Sequence, residues 1–289
     1  MIFYEVPEFE HYNLEEVSYI GEPKNNSVMY VTNKVAHLVE KLRKVTGCLV
    51  FAESGIELDN AVAMLNDIVY SRNPKSEYVK FVSRILRKRE ENESTFKYTI
   101  HDGYYIGKNV KVGKNVIIEP GCVIGHGSVI GNGCLLCCGS KIKNAVLGEN
   151  VLVNEDAKIG MNGFTMTKNE DGDLIRIPSL GKVIIGDNVE IGVADNISCG
   201  SAGNTRIDDN VKLDALVHIG HDVHLHKNVE ITAGVIVGGF TEVGESSFIG
   251  INAVVRNRIK IGKNVTIGMG AVVTKDIDDG KTVYGNPAK

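Results

Sequence analysis

The sequence predicts a mainly β protein, a parallel β-helix of six-residue repeats preceded by a small α/β domain, and three observations carry that prediction. From Ile100 onward an aliphatic residue recurs at every sixth position. Glycine is abundant, at 32 residues against six prolines, while 43% of the chain stays apolar, so glycine serves backbone geometry at repeated places and does not mark disorder. Residues 1–98 lack the period and mix short apolar runs with helical spacing. A fixed internal repeat outranks every other signal, because each unit buries its apolar face only against its neighbours.

The elements follow in order. Gly47-Cys48-Leu49-Val50-Phe51 is an apolar run of strand length, and a first helix is expected over Lys34–Lys44. A second helix is expected to begin near Ser76, with Tyr78, Phe81, Val82, Ile85 and Leu86 on one face. Its charged end, Arg84 to Glu93, marks the domain boundary near residue 98. The periodic positions are then Ile106, Val112, Ile118, Ile124, Ile130, Leu136 and Ile142, followed after one deletion by Leu147, Val153 and Ile159. An inserted loop at 161–182 interrupts them. They resume at Ile185, Ile191 and Ile197, skip four residues, and run unbroken from Ile207 to Val273. The β-helix is therefore expected over 99–273, and residues 274–289, which leave the period, over its end as a C-terminal loop.

Within each hexad the aliphatic first and small fifth residues point inward, as alternation along a strand requires. Gly at the second position and Asn at the fourth, as in Gly107-Lys108-Asn109 and Gly262-Lys263-Asn264, are expected where the chain turns with positive φ. Three strands and three turns close one coil, so residues 18 apart stack. The net charge of −4 leaves no basic field for nucleic acid. No stretch reaches the roughly 18 apolar residues that cross a bilayer, and the start lacks a basic flank before an apolar run, so a cytoplasmic protein without membrane insertion is expected. The six cysteines are then expected as free thiols, and Cys134-x-x-Cys137-Cys138 as core filler and turn.

The periodic region resembles the left-handed parallel β-helix of the hexapeptide-repeat proteins. Gly163-Phe164, Ile177-Pro178, GKVIIGDNVEIG, IDDNVKLDALVHIGHDV and SVMYVTNK with Asn73-Pro74 resemble the UDP-acylglucosamine N-acyltransferases of lipid A synthesis over nearly the whole chain. That resemblance implies a homotrimer with active sites between subunits and an N-terminal domain that grips a nucleotide. It places the catalytic histidine on His221, the oxyanion-binding glycine on Gly239 and an acidic partner on Asp214. It also places Tyr30 and Asn33 in a base clamp, with Phe164 and Arg258 beside the substrate. The spacing agrees independently for one pair, since Gly239 lies 18 residues beyond His221 and leaves an amide N–H and an empty shelf beside the imidazole.

Departures from that family redirect the reaction. Its aspartate-arginine pair becomes Ser198-Cys199, its second histidine becomes Arg258, and its second clamp aromatic becomes Ala36. The tail VVTKDIDDGKTVYGNPAK looks like the end of coenzyme A-dependent acetyltransferases, and no helical extension for acyl carrier protein follows it. The expected activity is thus transfer of a short acyl group from acyl-CoA, held by Gly238, Arg256 and Lys275, to the amine of a UDP- or dTDP-linked amino sugar for a surface glycan. His221 acts as general base, because an amine attacks only when neutral. The alternatives are the lipid A N-acyltransferase with an acyl carrier protein donor, a metalloenzyme of the γ-carbonic anhydrase type, and a non-catalytic trimeric scaffold. No metal is expected: His218 and His224 fall on adjacent faces, and the third histidine that would join His221 and His226 in the anhydrase pattern is Ile185.

Overall fold

Four short strands, β1 (Glu16–Val17), β2 (Ser27–Val31), β3 (Leu49–Glu53) and β4 (Asp67–Ser71), pair in parallel in the order β1-β2-β3-β4 in a computed structural model that describes residues 13–94 and 97–289. β2 and β3 are apolar on both faces because both faces are covered, as parallel sheets require. On one side helix α2 (Pro74–Ser94) sets Tyr78, Val82 and Ile85 against Val28, Leu49 and Phe51. On the other side Leu42 and Val62 pack on Met29, Val31 and Val50. Leu42 comes from a helical segment, Asn33–Lys44, wound in three-residue turns, and Val62 from α1 (Asn60–Leu65). Helix α2 starts at Pro74, ahead of Ser76, because the Asn73 side chain accepts the Ser76 amide at 3.1 Å and proline suits the first helical position.

The periodic region winds into three parallel sheets of eight, nine and ten strands, with one antiparallel strand, Thr99–His101, at the lower end of the last. Stacked partners stand 18 residues apart, as in His218 beside Ile236 and Ile236 beside Val254. The deletion shortens one step, with Val129 beside Val146, and the four-residue skip lengthens another, with Ile185 beside Ile207. Every first-position residue from Ile207 to Val273 is buried, so one continuous core runs up the coil. Each such side chain stabilises the stack by about 1.5–3 kcal/mol.

Three expectations are corrected. The fourth-position residues do carry positive φ, 59° at Asn109 and 54° at Asn264, but the second-position Gly107 and Gly262 do not. Gly107 is small for another reason: a Cβ there would lie 2.6 Å from the His126 nitrogen of the next coil. The insertion is no loose appendage of the coil. Met166–Lys168 and Leu174–Arg176 form an antiparallel hairpin, and Ile177 and Leu180 join the core of the N-terminal unit. Phe164–Gly181 and the skipped Ser201–Gly203 therefore belong to that unit and not to the β-helix. The tail, finally, is more than a loop. Thr282–Val283 pairs in parallel with Thr266–Ile267, and Ile277 bridges Ile261, so the chain makes one shortened further turn. Among the described residues no helix is long and apolar enough to cross a membrane.

Candidate functional site

His221 stands at the third position of its hexad, just after the strand His218–Ile219, where the chain turns from one sheet to the next. Its side chain is 16% exposed. The Nδ1 atom lies 2.8 Å from Oδ2 of Asp222, whose side chain is only 3% exposed. Asp222 occupies the positive-φ turn position with φ of 59°, and its amide donates to the Thr205 hydroxyl oxygen at 2.9 Å. That hydroxyl in turn donates to the Ser198 carbonyl at 2.7 Å. A buried carboxylate on Nδ1 fixes the tautomer that carries its proton there and leaves Nε2 as the acceptor.

Gly239 stacks over this imidazole as the 18-residue spacing requires. A Cβ on Gly239 would fall 2.9 Å from both Cε1 and Nε2, so only glycine lets the backbone approach the ring this closely. Among the described residues no acceptor takes the Gly239 N–H. Gly163 closes the opposite side, since a Cβ there would lie 2.9 Å from the His221 Cβ. The Phe240 ring meets the imidazole edge-on with centroids 5.2 Å apart, and the Arg258 guanidinium lies 4.2 Å from the Phe240 centroid. Asp222, Phe240 and Arg258, each 18 residues from the next, form one column, each with positive φ.

Asp214 is not the acidic partner of His221. Its carboxylate accepts the amides of Ala215 at 2.7 Å and Ala233 at 3.1 Å, which is the work of a turn residue, and Asp222 takes the role instead. Sequence reasoning missed Asp222 because an aspartate at the fourth hexad position reads as a turn former. The adjacency of His221 and Asp222 in one turn was the available signal. In the N-terminal unit Tyr30 packs edge-on against Tyr78 at 5.2 Å, with Lys75 Nζ 5.7 Å from its ring centroid. The Asn33 amide donates to Glu53 Oε2 at 2.8 Å. Phe164 is 79% exposed, with the Arg176 guanidinium 5.5 Å from its ring centroid.

The residues assigned to coenzyme A lie on the last coils, where Gly238 packs against the Arg256–Asn257 backbone. Arg256 and Lys275 are exposed, and Gly238 is committed to close packing, where a Cβ would meet the Asn257 nitrogen at 2.5 Å. The histidines also regroup. His218 lies on a different sheet from His224, as expected, and burial lowers its basicity, with His221 adding to the effect. His224 and His226, however, come together with ring centroids 3.9 Å apart. All six cysteines are free thiols, five of them buried and Cys138 exposed.

The chain matches the bacterial transferase hexapeptide (six repeats) family at residues 97–132, 204–239 and 240–275. It is 48% identical over 86 residues to UDP-3-O-acylglucosamine N-acyltransferase 2 of Legionella pneumophila (strain Paris), covering 30% of this chain and 25% of that protein. To UDP-3-O-acylglucosamine N-acyltransferase of Rhizobium meliloti (strain 1021) it is 39% identical over 92 residues, or 32% and 26% of the two chains. The matched segment therefore spans about a quarter of the length of these relatives. Among solved structures, the UDP-N-acetylglucosamine O-acyltransferase of Moraxella catarrhalis aligns with a TM-score of 0.60 at 27% identity, over 65% of this chain and 72% of that one. The UDP-N-acetylglucosamine acyltransferase of Francisella novicida aligns at 0.59 and 28%, over 65% and 67%.

The chain is thus a left-handed β-helix protein of hexapeptide repeats, similar to acyltransferases that act on UDP-glucosamine derivatives. The same relatives overturn the expected acyl-CoA-dependent sugar N-acyltransferase of surface glycan synthesis, and with it acyl-CoA as co-substrate.

Proposed function

We propose that the protein is an N-acyltransferase that moves an acyl group from the thioester of an acyl carrier protein to the amine of a UDP-linked 3-O-acylglucosamine, within a homotrimer. The observation that carries this reading is the set of three around His221: the imidazole, the buried Asp222 on its Nδ1, and the bare Gly239 amide against its Nε2 edge. The likeness to named UDP-3-O-acylglucosamine N-acyltransferases supplies the acceptor class. The donor is the one that the resemblance to that family implies.

The chemistry follows from the geometry. Nε2 accepts a proton as the amine nitrogen attacks the thioester carbonyl, and Asp222 stabilises the imidazolium that forms. The oxyanion is met by the Gly239 N–H, a preorganised donor whose approach no side chain obstructs. Collapse breaks the C–S bond, forms the amide, and returns the proton from the imidazolium to the departing thiolate. Arg258, held over Phe240 beside His221, is a cation for the diphosphate.

His221→Ala is expected to lower kcat by about 10²- to 10⁴-fold, the usual range for a positioned proton acceptor, with little change in donor KM. The assay uses purified protein, UDP-3-O-acylglucosamine and acyl carrier protein thioesters, with product amide read by mass. Turnover of the variant above about a third of wild type, or turnover of neither substrate by the wild type, overturns the reading.

A further inference from the structure

The histidine pair outside the His221 site sits in an arrangement that acyl transfer does not use. On the strand His224–Leu225, Leu225 points into the core, so His224 and His226 both project from the same outer face. One coil below His226 stands Asp208, and one coil above His224 stands Glu242, by the 18-residue register. Two adjacent columns over three successive coils thus converge on one patch. His224 Nε2 lies 2.9 Å from Asp208 Oδ2, and His226 Nδ1 lies 3.5 Å from the same oxygen. On the far side of its ring, His226 Nε2 lies 2.9 Å from Glu242 Oε1.

We propose that His224, His226 and Asp208 bind one divalent transition-metal ion such as zinc, with Glu242 orienting the His226 ring from outside the coordination sphere. The donor set is two imidazoles and one carboxylate, which suits zinc and its neighbours and not calcium or magnesium. One ligand atom from each residue lies within 4.8 Å of the other two. The two nitrogen-to-oxygen distances of 2.9 and 3.5 Å bracket the edge of about 3.4 Å that a tetrahedron with bonds near 2.1 Å requires. Glu242 on Nε2 fixes that nitrogen as the N–H and turns Nδ1 toward Asp208, which is the carboxylate-histidine-metal arrangement of ligand histidines. Three protein ligands leave a fourth position for solvent or an exchangeable ligand, and Asp208 also lines an open cavity of about 350 Å³ with Arg206 and Lys227. The expectation of a metal-free protein rested on His221 joining any such site. His221 is engaged with Asp222, and the three converging groups do not include it.

The test uses the untagged full chain, stripped with a chelator and dialysed. Calorimetric titration with Zn²⁺ is expected to give one equivalent per chain, and Co²⁺ to develop the intense visible absorption of a tetrahedral nitrogen- and oxygen-ligated site. His226→Ala and Asp208→Asn should each weaken binding at least tenfold. Glu242→Gln should weaken it by about 10- to 100-fold while leaving one equivalent, the mark of a group that orients a ligand. A rise in wild-type Tm with Zn²⁺ that vanishes in His226→Ala provides a readout independent of the spectrum. The proposal is overturned if the wild type shows no cobalt band, or if the double variant His224→Ala, His226→Ala retains one equivalent at unchanged affinity. It is equally overturned by a variant series that loses the metal only together with its circular dichroism.

Discussion

At the scale of single residues, two buried carboxylates in the coil behave in opposite ways. Asp222 lies against Nδ1 of the His221 imidazole, and its task is orientation. Asp222→Asn keeps the shape but offers an N–H where His221 Nδ1 also needs to donate, so kcat is expected to fall at least tenfold with KM unchanged, read from steady-state kinetics across pH. Asp195 has no cationic partner among the described residues and is fully buried, accepting the Gly192 and Val217 amides at 2.7 Å each. Burial pushes its carboxyl up to about 7, the Asp214 charge adds to that rise, and the two amides oppose it. Because the folded value lies above the unfolded value of about 3.9, the folded state holds the proton more tightly. Its contribution is then full below about pH 4 and is lost as pH rises towards 7, at no more than about 1.4 kcal/mol per pH unit. Urea midpoints between pH 5 and 8 should show this slope, and Asp195→Asn should flatten it while costing about 1–3 kcal/mol overall, since one amide then faces another donor. A slope unchanged in the variant would assign the pH dependence to other groups.

At the scale of elements, the hexad was legible because each inward position is the same physical problem repeated. Ile231, Val237 and Val243 fill the same interior, so the period in sequence is the period in space. Even the deletion at Leu147 and the skip before Ile207 could be read, since the register resumes on both sides. What could not be read lies where that repetition stops. Nothing periodic announces that Ile177 and Leu180 complete the N-terminal core, because the match is between surfaces far apart in sequence. The pairing of His224 with Asp208 and of His226 with Glu242 was equally hidden, since spacing fixes which column a side chain occupies but not which neighbour its ring turns towards. The close packing of second-position glycines makes its own prediction. Gly107→Ala places a methyl group 2.6 Å from a backbone nitrogen and should destabilise by about 1–3 kcal/mol, whereas Val235→Ala in the core should cost at least as much by leaving a cavity. Thermal melts of both variants measure the comparison.

At the scale of the whole molecule, the active site as proposed is half a cleft. His221 and Gly239 face outward from two successive coils of one β-helix, and excluding water from a tetrahedral intermediate needs a second surface. Apolar side chains left exposed along the β-helix are suited to provide contact with further copies, Ile251 and Met269 in one column and Ile236 and Val254 in another. Light scattering is therefore expected to give three times the 31.4 kDa chain mass, and a stable monomer that is fully active would refute the shared site.

The shortened final turn of the tail has a consequence for the protein's behaviour in concentrated solution. A stack of parallel strands ends in a row of unanswered amides and carbonyls, the template on which foreign strands nucleate. Here each of the three sheets meets the tail at its last rung: Ile277 against Ile261, Thr282–Val283 against Thr266–Ile267, and Gly285 with Ala288 against Val272. The tail is thus a lid on polymerisation, and the chain can keep a long, regular ladder without growing end to end into fibrils.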